Sequence, residues 1–386
     1  MNSPLSPRRL SWAFCFLGWI VAPLRGEALE TKALWVVKDA LCSPASVSEM
    51  TRTAWKNGFN LILVQVRSRG DAFYRSQFVP LAEAIQGSKE PEFDPLKLAV
   101  EEGHRAGLQV HAWVNIYILW SSPYHPVNPK HLFYLHPDWF ARSDGSRIRP
   151  KKIFLSPELP QVREHLLNVI EEIIENYQID GLHLDYVRYP NNHYDYNLTA
   201  RTRFMQRYAI DPLGLAQGSE KLADIFGVVG IEDLSRKRLA WRAEQVTRLV
   251  EAIHDLISKK KPWITLSAAV KPDVDEAYRK YGQDWTEWAN RGLVDFVIPM
   301  AYSKDTEVVV QQVEQAMRAV GRKRLYVGIG TYNKPISETL RQIQSVEALG
   351  VEGICLFSYN SLEKEPGSFE KLRAGFLPSP QERKRR

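Results

Sequence analysis

The chain has 386 residues, 44% hydrophobic and 25% charged, with 11 Trp, 16 Tyr and 15 Phe, which suits one large α/β barrel or two ordinary domains and excludes disorder, collagen and coiled coil. Its formal charge of +6 sits at the ends: residues 1–28 carry a net +2 and the tail 381–386 a net +3, leaving 44 basic against 43 acidic residues between them. The body is therefore nearly neutral, and no nucleic-acid partner is expected.

Taken in chain order, the first element reads as an export signal. Arg8 and Arg9 precede the apolar run Leu10 to Ala22, and Gly26 with Ala28 offers a small-x-small cleavage pattern, so a mature chain is expected from Leu29. The apolar run is short for a spanning helix, and a membrane contact is expected only if the signal stays uncleaved. The expected location is secreted or periplasmic. The expected division is a signal over 1–28, a barrel over 29–376 and a basic tail over 377–386.

From residue 30 onward, short β-branched and aromatic runs alternate with helical stretches, the pattern of repeated βα units around a parallel sheet. Eight runs read as strands: Ala33 to Val37, Asn60 to Arg67, Leu108 to Asn115, Asp180 to Val187, Trp263 to Val270, Val294 to Met300, Arg324 to Ile329 and Val351 to Ser358. Between them, Ser46 to Lys56 reads as a helix opened by a capping box of Ser46 and Glu49 and closed at Gly58. The next helix has Asp94 as its cap, Pro95 in its first position and a stop at Gly107, and Gly292, Gly321 and Gly350 end later ones. Eight units imply a closed (β/α)8 TIM barrel whose last strand pairs with its first. No strand is followed by G-x-G-x-x-G, which argues against an open doubly wound sheet. Residues 116–159 and 188–238, after the third and fourth strands, are longer than ordinary loops and fall on the C-terminal rim, where such barrels keep their sites. The second stretch, with Tyr194, Tyr196, Phe204 and Tyr208, either walls the cleft or folds over a small core of its own.

Alternation along a strand decides which side chains enter the barrel. In Gly181-Leu182-His183-Leu184-Asp185 the leucines face the helices, so His183 and Asp185 face inward. A buried imidazole and carboxylate are costly unless paired or used, and Asp185 stands at the strand's C-terminal end. The same rule groups Gln65 with Arg67, and His111 with Trp113 and Asn115. Such a ring supplies donors for sugar hydroxyls and an aromatic platform, although Trp113 also suits plain core packing.

Several strings in fixed order carry a resemblance: Gln65-Val66-Arg67-Ser68-Arg69-Gly70-Asp71-Ala72, His111-Ala112-Trp113-Val114-Asn115, His136-Pro137-Asp138-Trp139, Leu155-Ser156-Pro157-Glu158, Asp180-Gly181-Leu182-His183-Leu184-Asp185-Tyr186-Val187-Arg188-Tyr189-Pro190 and Asp295-Phe296-Val297-Ile298-Pro299-Met300-Ala301-Tyr302. Over roughly residues 31–360 the chain resembles the glycosyl hydrolase-like family 10 of exported bacterial proteins. The resemblance implies a barrel relative of amylases and α-galactosidases acting on glycans, cell-wall strands among them, and no cofactor.

The D-G-x-H-x-D string at 180–185 is similar to the fourth-strand D-G-x-R-x-D of amylases, which implies Asp185 as nucleophile, with His183 departing from the pattern. The acid/base is open among Asp71, Glu158, Asp273 and Asp305, while Asp180 and Asp295, at strand beginnings, read as structural. Arg67, His111, Trp113, Asn115, Trp139, His183, Arg188 and Tyr302 are the candidate substrate-binding residues, with Arg67 and His183 placed to keep Asp185 ionised. No H-x-H, H-E-x-x-H or C-x-x-C occurs, so no metal site is expected, and Cys42 and Cys355 are expected to stay thiols. A glycan substrate is the expected partner and a monomer the expected state. The alternative from another class is a barrel that binds glycan without cleaving it.

Overall fold

The computed structural model describes residues 29–86, 92–145 and 152–376. The expected signal and tail lie outside them. Eight parallel strands form the barrel: β1 (Thr31–Val36), β2 (Leu61–Arg67), β3 (Gln109–Asn115), β4 (Gly181–Asp185), β5 (Thr265–Val270), β6 (Phe296–Pro299), β7 (Tyr326–Gly330) and β8 (Gly353–Phe357). β8 pairs with β1, Cys355 opposite Ala33, as closure requires. The seam lies instead between β6 and β7, where two single parallel bridges, Val297 with Leu325 and Met300 with Gly328, complete the ring. A Cβ on Gly328 would stand 2.9 Å from both the Pro299 carbonyl oxygen and the Trp35 ring, so only glycine permits this approach.

The strands bury both faces, which is why they read as nearly continuous apolar runs. Their outward side chains pack beneath the helices in one large cluster. The inward ones form a separate cluster that includes Trp35, Leu63, Trp113, Phe296, Ile298 and Cys355. Cys355 and Cys42 are both free thiols. At the N-terminal rim, the Asp180 carboxylate accepts from Val110 N at 2.7 Å and that of Asp295 from Leu266 N at 2.7 Å, so both tie neighbouring strands together.

Helix caps hold where the signal was strongest. Asp94 caps the helix Pro95–Ala106, and Gly107 ends it in the left-handed region. The first helix begins earlier than expected, at Pro44, because Ser43 and Ser46 form the capping box and Pro44 takes the first helical position.

The two long excursions have structure of their own. Residues 116–159 contain an antiparallel hairpin, Ile118–Trp120 against Ile153–Phe154, with the short helix Leu132–Leu135 between its arms. After β4 come the helices Leu198–Tyr208 and Pro212–Ala216, then the long helix Glu220–Lys260, broken at Gly227. Phe204, Ile210, Leu234 and Trp241 pack together there, with Tyr208 and Leu215 against them. This segment is thus folded over its own small core rather than laid along the cleft. Among the described residues, no helix is long and apolar enough to cross a membrane.

Candidate active site

The C-terminal ends of the strands open into a cleft of about 440 Å³. Its floor and walls are Trp35 from β1, Gln65 from β2, Trp113 and Asn115 from β3, Asp185 from β4, Ala269 from β5 and Phe357 from β8, with Met300 and Tyr302 following β6. A larger recess of about 720 Å³ lies on the flank, between the helix Pro95–Ala106 and residues 176–178. We place the site in the smaller cavity, because it gathers side chains from several strand ends as catalytic barrels do.

Asp185 ends β4 because Tyr186 turns left-handed, with φ 49°. The turn aims the Tyr186 N–H at Asp185 Oδ1, 2.6 Å away. Asp185 is 7% exposed. Its pKa is raised by burial, against the opposing pull of Arg188, the Tyr186 N–H, Lys152 and the Trp113 indole. Trp113 Nε1 donates to Asn115 Oδ1 at 3.0 Å, and Asn115 Nδ2 donates to the Ser68 carbonyl at 2.9 Å, so the residue facing Asp185 across the β3–β4 register is fixed from both sides.

Apart from Asp185, the charged lining is cationic. Lys38, Lys152, Arg188 and Lys271 surround the opening, and among the described residues that line it Asp185 is the one carboxylate. Lys152 donates to the Tyr186 hydroxyl. The Arg188 guanidinium lies 4.8 Å from the Tyr186 ring centre and 5.1 Å from that of Tyr281. Burial, then Arg188, lowers the pKa of Lys271. Tyr302 stacks on Phe357 with centroids 5.4 Å apart and stands edge-on to Trp35 at 6.3 Å, so the three rings form one aromatic wall of the cleft.

A carboxyl at a strand end among aromatic rings and cations is what a glycan-binding barrel cleft needs, and sequence comparison places the chain among glycosyl hydrolase-like proteins. The chain matches the glycosyl hydrolase-like 10 family over residues 31–345. It belongs to that family. It is 27% identical over 266 residues to the glycosyl hydrolase YngK of Bacillus subtilis, covering 64% of this chain and 46% of YngK. To the glycosyl hydrolase DigH of Escherichia coli K12 it is 23% identical over 307 residues, covering 71% of this chain and 63% of DigH. The aligned part thus spans less than two thirds of either relative. Among solved structures, the PgaB (BpsB) glycoside hydrolase domain of Bordetella bronchiseptica superposes with a TM-score of 0.65 at 16% identity, over 89% of this chain and 98% of that one. The catalytic domain of β-amylase from Paenibacillus polymyxa gives 0.60 at 14%, over 91% and 100%. At such identities the structural likeness speaks for the fold alone.

Within this family barrel, the expected residues separate into two groups. Asp185, Trp113, Asn115, Arg188 and Tyr302 meet in the cleft. His183 lies one layer deeper, taking the Trp35 indole N–H on Nε2 at 3.1 Å and meeting Ser267 Oγ through Nδ1 at 2.9 Å. Burial pushes its pKa down to about 3, so it is a neutral packing group and lends Asp185 no charge. His111 is deeper still, its ring over Gly181, where a Cβ would stand 2.4 Å from it. Arg67 is fully buried and donates to the carbonyls of Asn115 and Ile116, which makes it a tie between β2 and β3 rather than a partner of Asp185. Trp139 stacks on His136 at 3.9 Å, outside the cleft.

The candidate acids outside β4 are all occupied elsewhere. Asp71 accepts from the Arg69 N–H at 2.8 Å and closes the turn after β2. Asp273 and Asp305 are exposed helix caps, accepting from Glu276 N at 2.7 Å and Glu307 N at 2.8 Å. Glu158 is sealed beneath the excursion after β4, bound to Arg238 at 2.7 Å and to Trp241 Nε1 at 2.8 Å. None of the four lines the cleft.

Trp35, Lys38, Lys152, Tyr186 and Lys271 line the cleft but escape the sequence reading. The alternation that selects His183 also turns Trp35 inward beside Ala33, so Trp35 was within reach. Lys38 and Lys271 follow the ends of β1 and β5, and the same end-of-strand rule finds them. Lys152 arrives on the hairpin, which no local pattern places over the barrel.

Proposed function

We propose that the protein is an exported glycoside hydrolase acting on an acidic polysaccharide, with bacterial cell-wall glycan strands as the substrate class. The observation that carries this reading is a single buried carboxyl, Asp185, at the end of β4, set among aromatic rings and four cations. The rings suit the apolar faces of sugars, and the cations suit substrate carboxylates, such as those of muramic acid residues free of peptide. Burial favours the protonated carboxyl, the form that donates to a leaving glycosidic oxygen, so we assign Asp185 the proton-donor role ahead of the nucleophile role that the amylase likeness implies.

A second reading, a barrel that binds glycan without cutting it, is favoured by one observation: the paired carboxyls of most glycosidases, about 5 to 9.5 Å apart, have no second member in the described cleft. Purified glycan strands incubated with the protein separate the two. New reducing ends, with products resolved by mass, support hydrolysis. Saturable binding with no new ends supports the binding barrel. Neither binding nor cleavage removes both.

A further inference from the structure

A further cavity, of about 350 Å³, adjoins the cleft on the side of β7 and β8. Its lining includes Tyr332, Lys334, Ser358, Asn360, Ser361 and Lys364. The linings of the two cavities are joined through the end of β8 and the end of β1. Ser358 directly follows Phe357 of the cleft, and the Asn360 side chain accepts from the N–H of Val37, another cleft residue, at 3.0 Å. Tyr332 stands at the lip between them, edge-on to Phe357 at 5.9 Å and to Tyr302 at 6.1 Å.

Tyr332 is 56% exposed. Two edge-on contacts with the half-buried rings of Phe357 and Tyr302 fix its plane, while its outer face stays in water. A ring so held is an unfilled platform at the mouth of a cleft. Beyond it, the Ser361 hydroxyl lies 2.9 Å from that of Thr331 and 3.2 Å from that of Ser358, a polar cluster that holds the start of the β8 turn rigid behind the ring. The charge there is again positive, with Lys334 and Lys364 against Glu365. Lys334 is half-buried, with Nζ 3.1 Å from the Ser303 carbonyl, so the cation is held in place rather than swept through solvent.

We propose that this cavity is a secondary subsite for the same glycan chain, with Tyr332 as the stacking platform and Lys334 and Lys364 receiving the carboxylate of an acidic sugar. The proposal rests on the glycan reading above and adds a direction to it: the chain leaves the cleft over Tyr332, toward β8.

The test uses the full chain and oligomers of alternating N-acetylglucosamine and N-acetylmuramic acid, from disaccharide to octasaccharide, with binding read by calorimetry. Neutral N-acetylglucosamine oligomers of matched length serve as the control. Tyr332→Ala should weaken octasaccharide binding at least about tenfold and leave the disaccharide unchanged. Lys334→Met should weaken the acidic octasaccharide alone. Both positions are on the surface or half-buried, and unchanged melting temperatures confirm folding. If the variants bind every oligomer as the wild type does, the subsite is refuted and the glycan reading stands. If the wild type binds none of the oligomers, both fall.

Discussion

Trp35 donates its indole N–H to Nε2 of His183 at 3.1 Å, and this one bond fixes the state of the imidazole. An indole nitrogen only donates, so Nε2 is the bare nitrogen and the proton sits on Nδ1, facing Ser267. Protonating the ring would break the bond and charge the barrel interior. Burial pushes the pKa of His111 down to about 4, and partial burial beside Arg67 pushes that of His165 down to about 3. Each of the three binds fewer protons folded than unfolded between pH 6.5 and about 4, whereas Asp195, raised to about 7, and Asp185, also raised, act in the opposite sense. The histidines outnumber the acids, so stability should fall as pH drops below 6.5. Urea melts at pH 7 and pH 4.5 measure it. His183→Gln, which keeps an acceptor for Trp35, should reduce the slope, and a slope unchanged in that variant would refute the assignment.

Glu158 gives the second prediction. Its carboxylate neutralises the buried Arg238 at 2.7 Å and accepts from Trp241, joining the β4 excursion to the barrel. Glu158→Gln keeps the shape and leaves the buried Arg238 charge with the Asp195 carbonyl but no carboxylate, which should cost about 3 to 5 kcal/mol of stability. Because Glu158 lies outside the cleft, turnover by the folded variant should match the wild type. Loss of turnover at full stability would return Glu158 to the list of catalytic acids.

How much of this was readable beforehand follows from what each signal depends on. Strand order, the pairing of β8 with β1, and the inward set His183 and Asp185 follow from period-two alternation and repeated βα units, which are local. The place of Arg67 was not readable, because a register shift between Gln65 and Arg67 carries its side chain off the row of Gln65. Lys152 belongs to the cleft only through the hairpin, a contact between segments distant in sequence. Asp71, Asp273 and Asp305 share one ambiguity: residues just after strands are also where turns close and helices are capped, so position alone does not separate a cap from a catalyst. Glu158 differs, since its partners Arg238 and Trp241 come from a helix distant in sequence.

That ambiguity is open to direct test at Asp273 and Asp305. Each accepts a single backbone N–H in the first turn of its helix. Alanine at either position should cost about 1 kcal/mol of stability and leave turnover unchanged. A large loss of turnover at either one would identify the missing second carboxyl.

Lys152 tests the electrostatics of the cleft. It favours the ionised form of Asp185 and faces the substrate. Lys152→Met should therefore raise the pKa of Asp185 further and extend activity to higher pH, if protonated Asp185 is the acid. It should also raise KM for acidic glycans while sparing neutral ones, and flatten the salt dependence of KM. A pH profile identical to wild type would show that the two groups do not interact.

Asp185 is the residue on which the mechanism turns. Asp185→Asn keeps the size of the side chain and removes both its charge and its acidic proton. Turnover should fall at least about a thousandfold, roughly 4 kcal/mol of barrier. Stability should move the other way. A carboxyl whose folded pKa lies above its unfolded value weakens the fold as pH rises past the unfolded value, so at neutral pH wild type bears a cost that the amide escapes. The variant should therefore melt at the same temperature as wild type or above it, and bind glycan through Trp113, Asn115 and Tyr302 with affinity retained. Lower activity together with higher stability marks a group kept for chemistry. A variant that is less stable yet equally active would make Asp185 a structural residue and leave the cleft as a binding site.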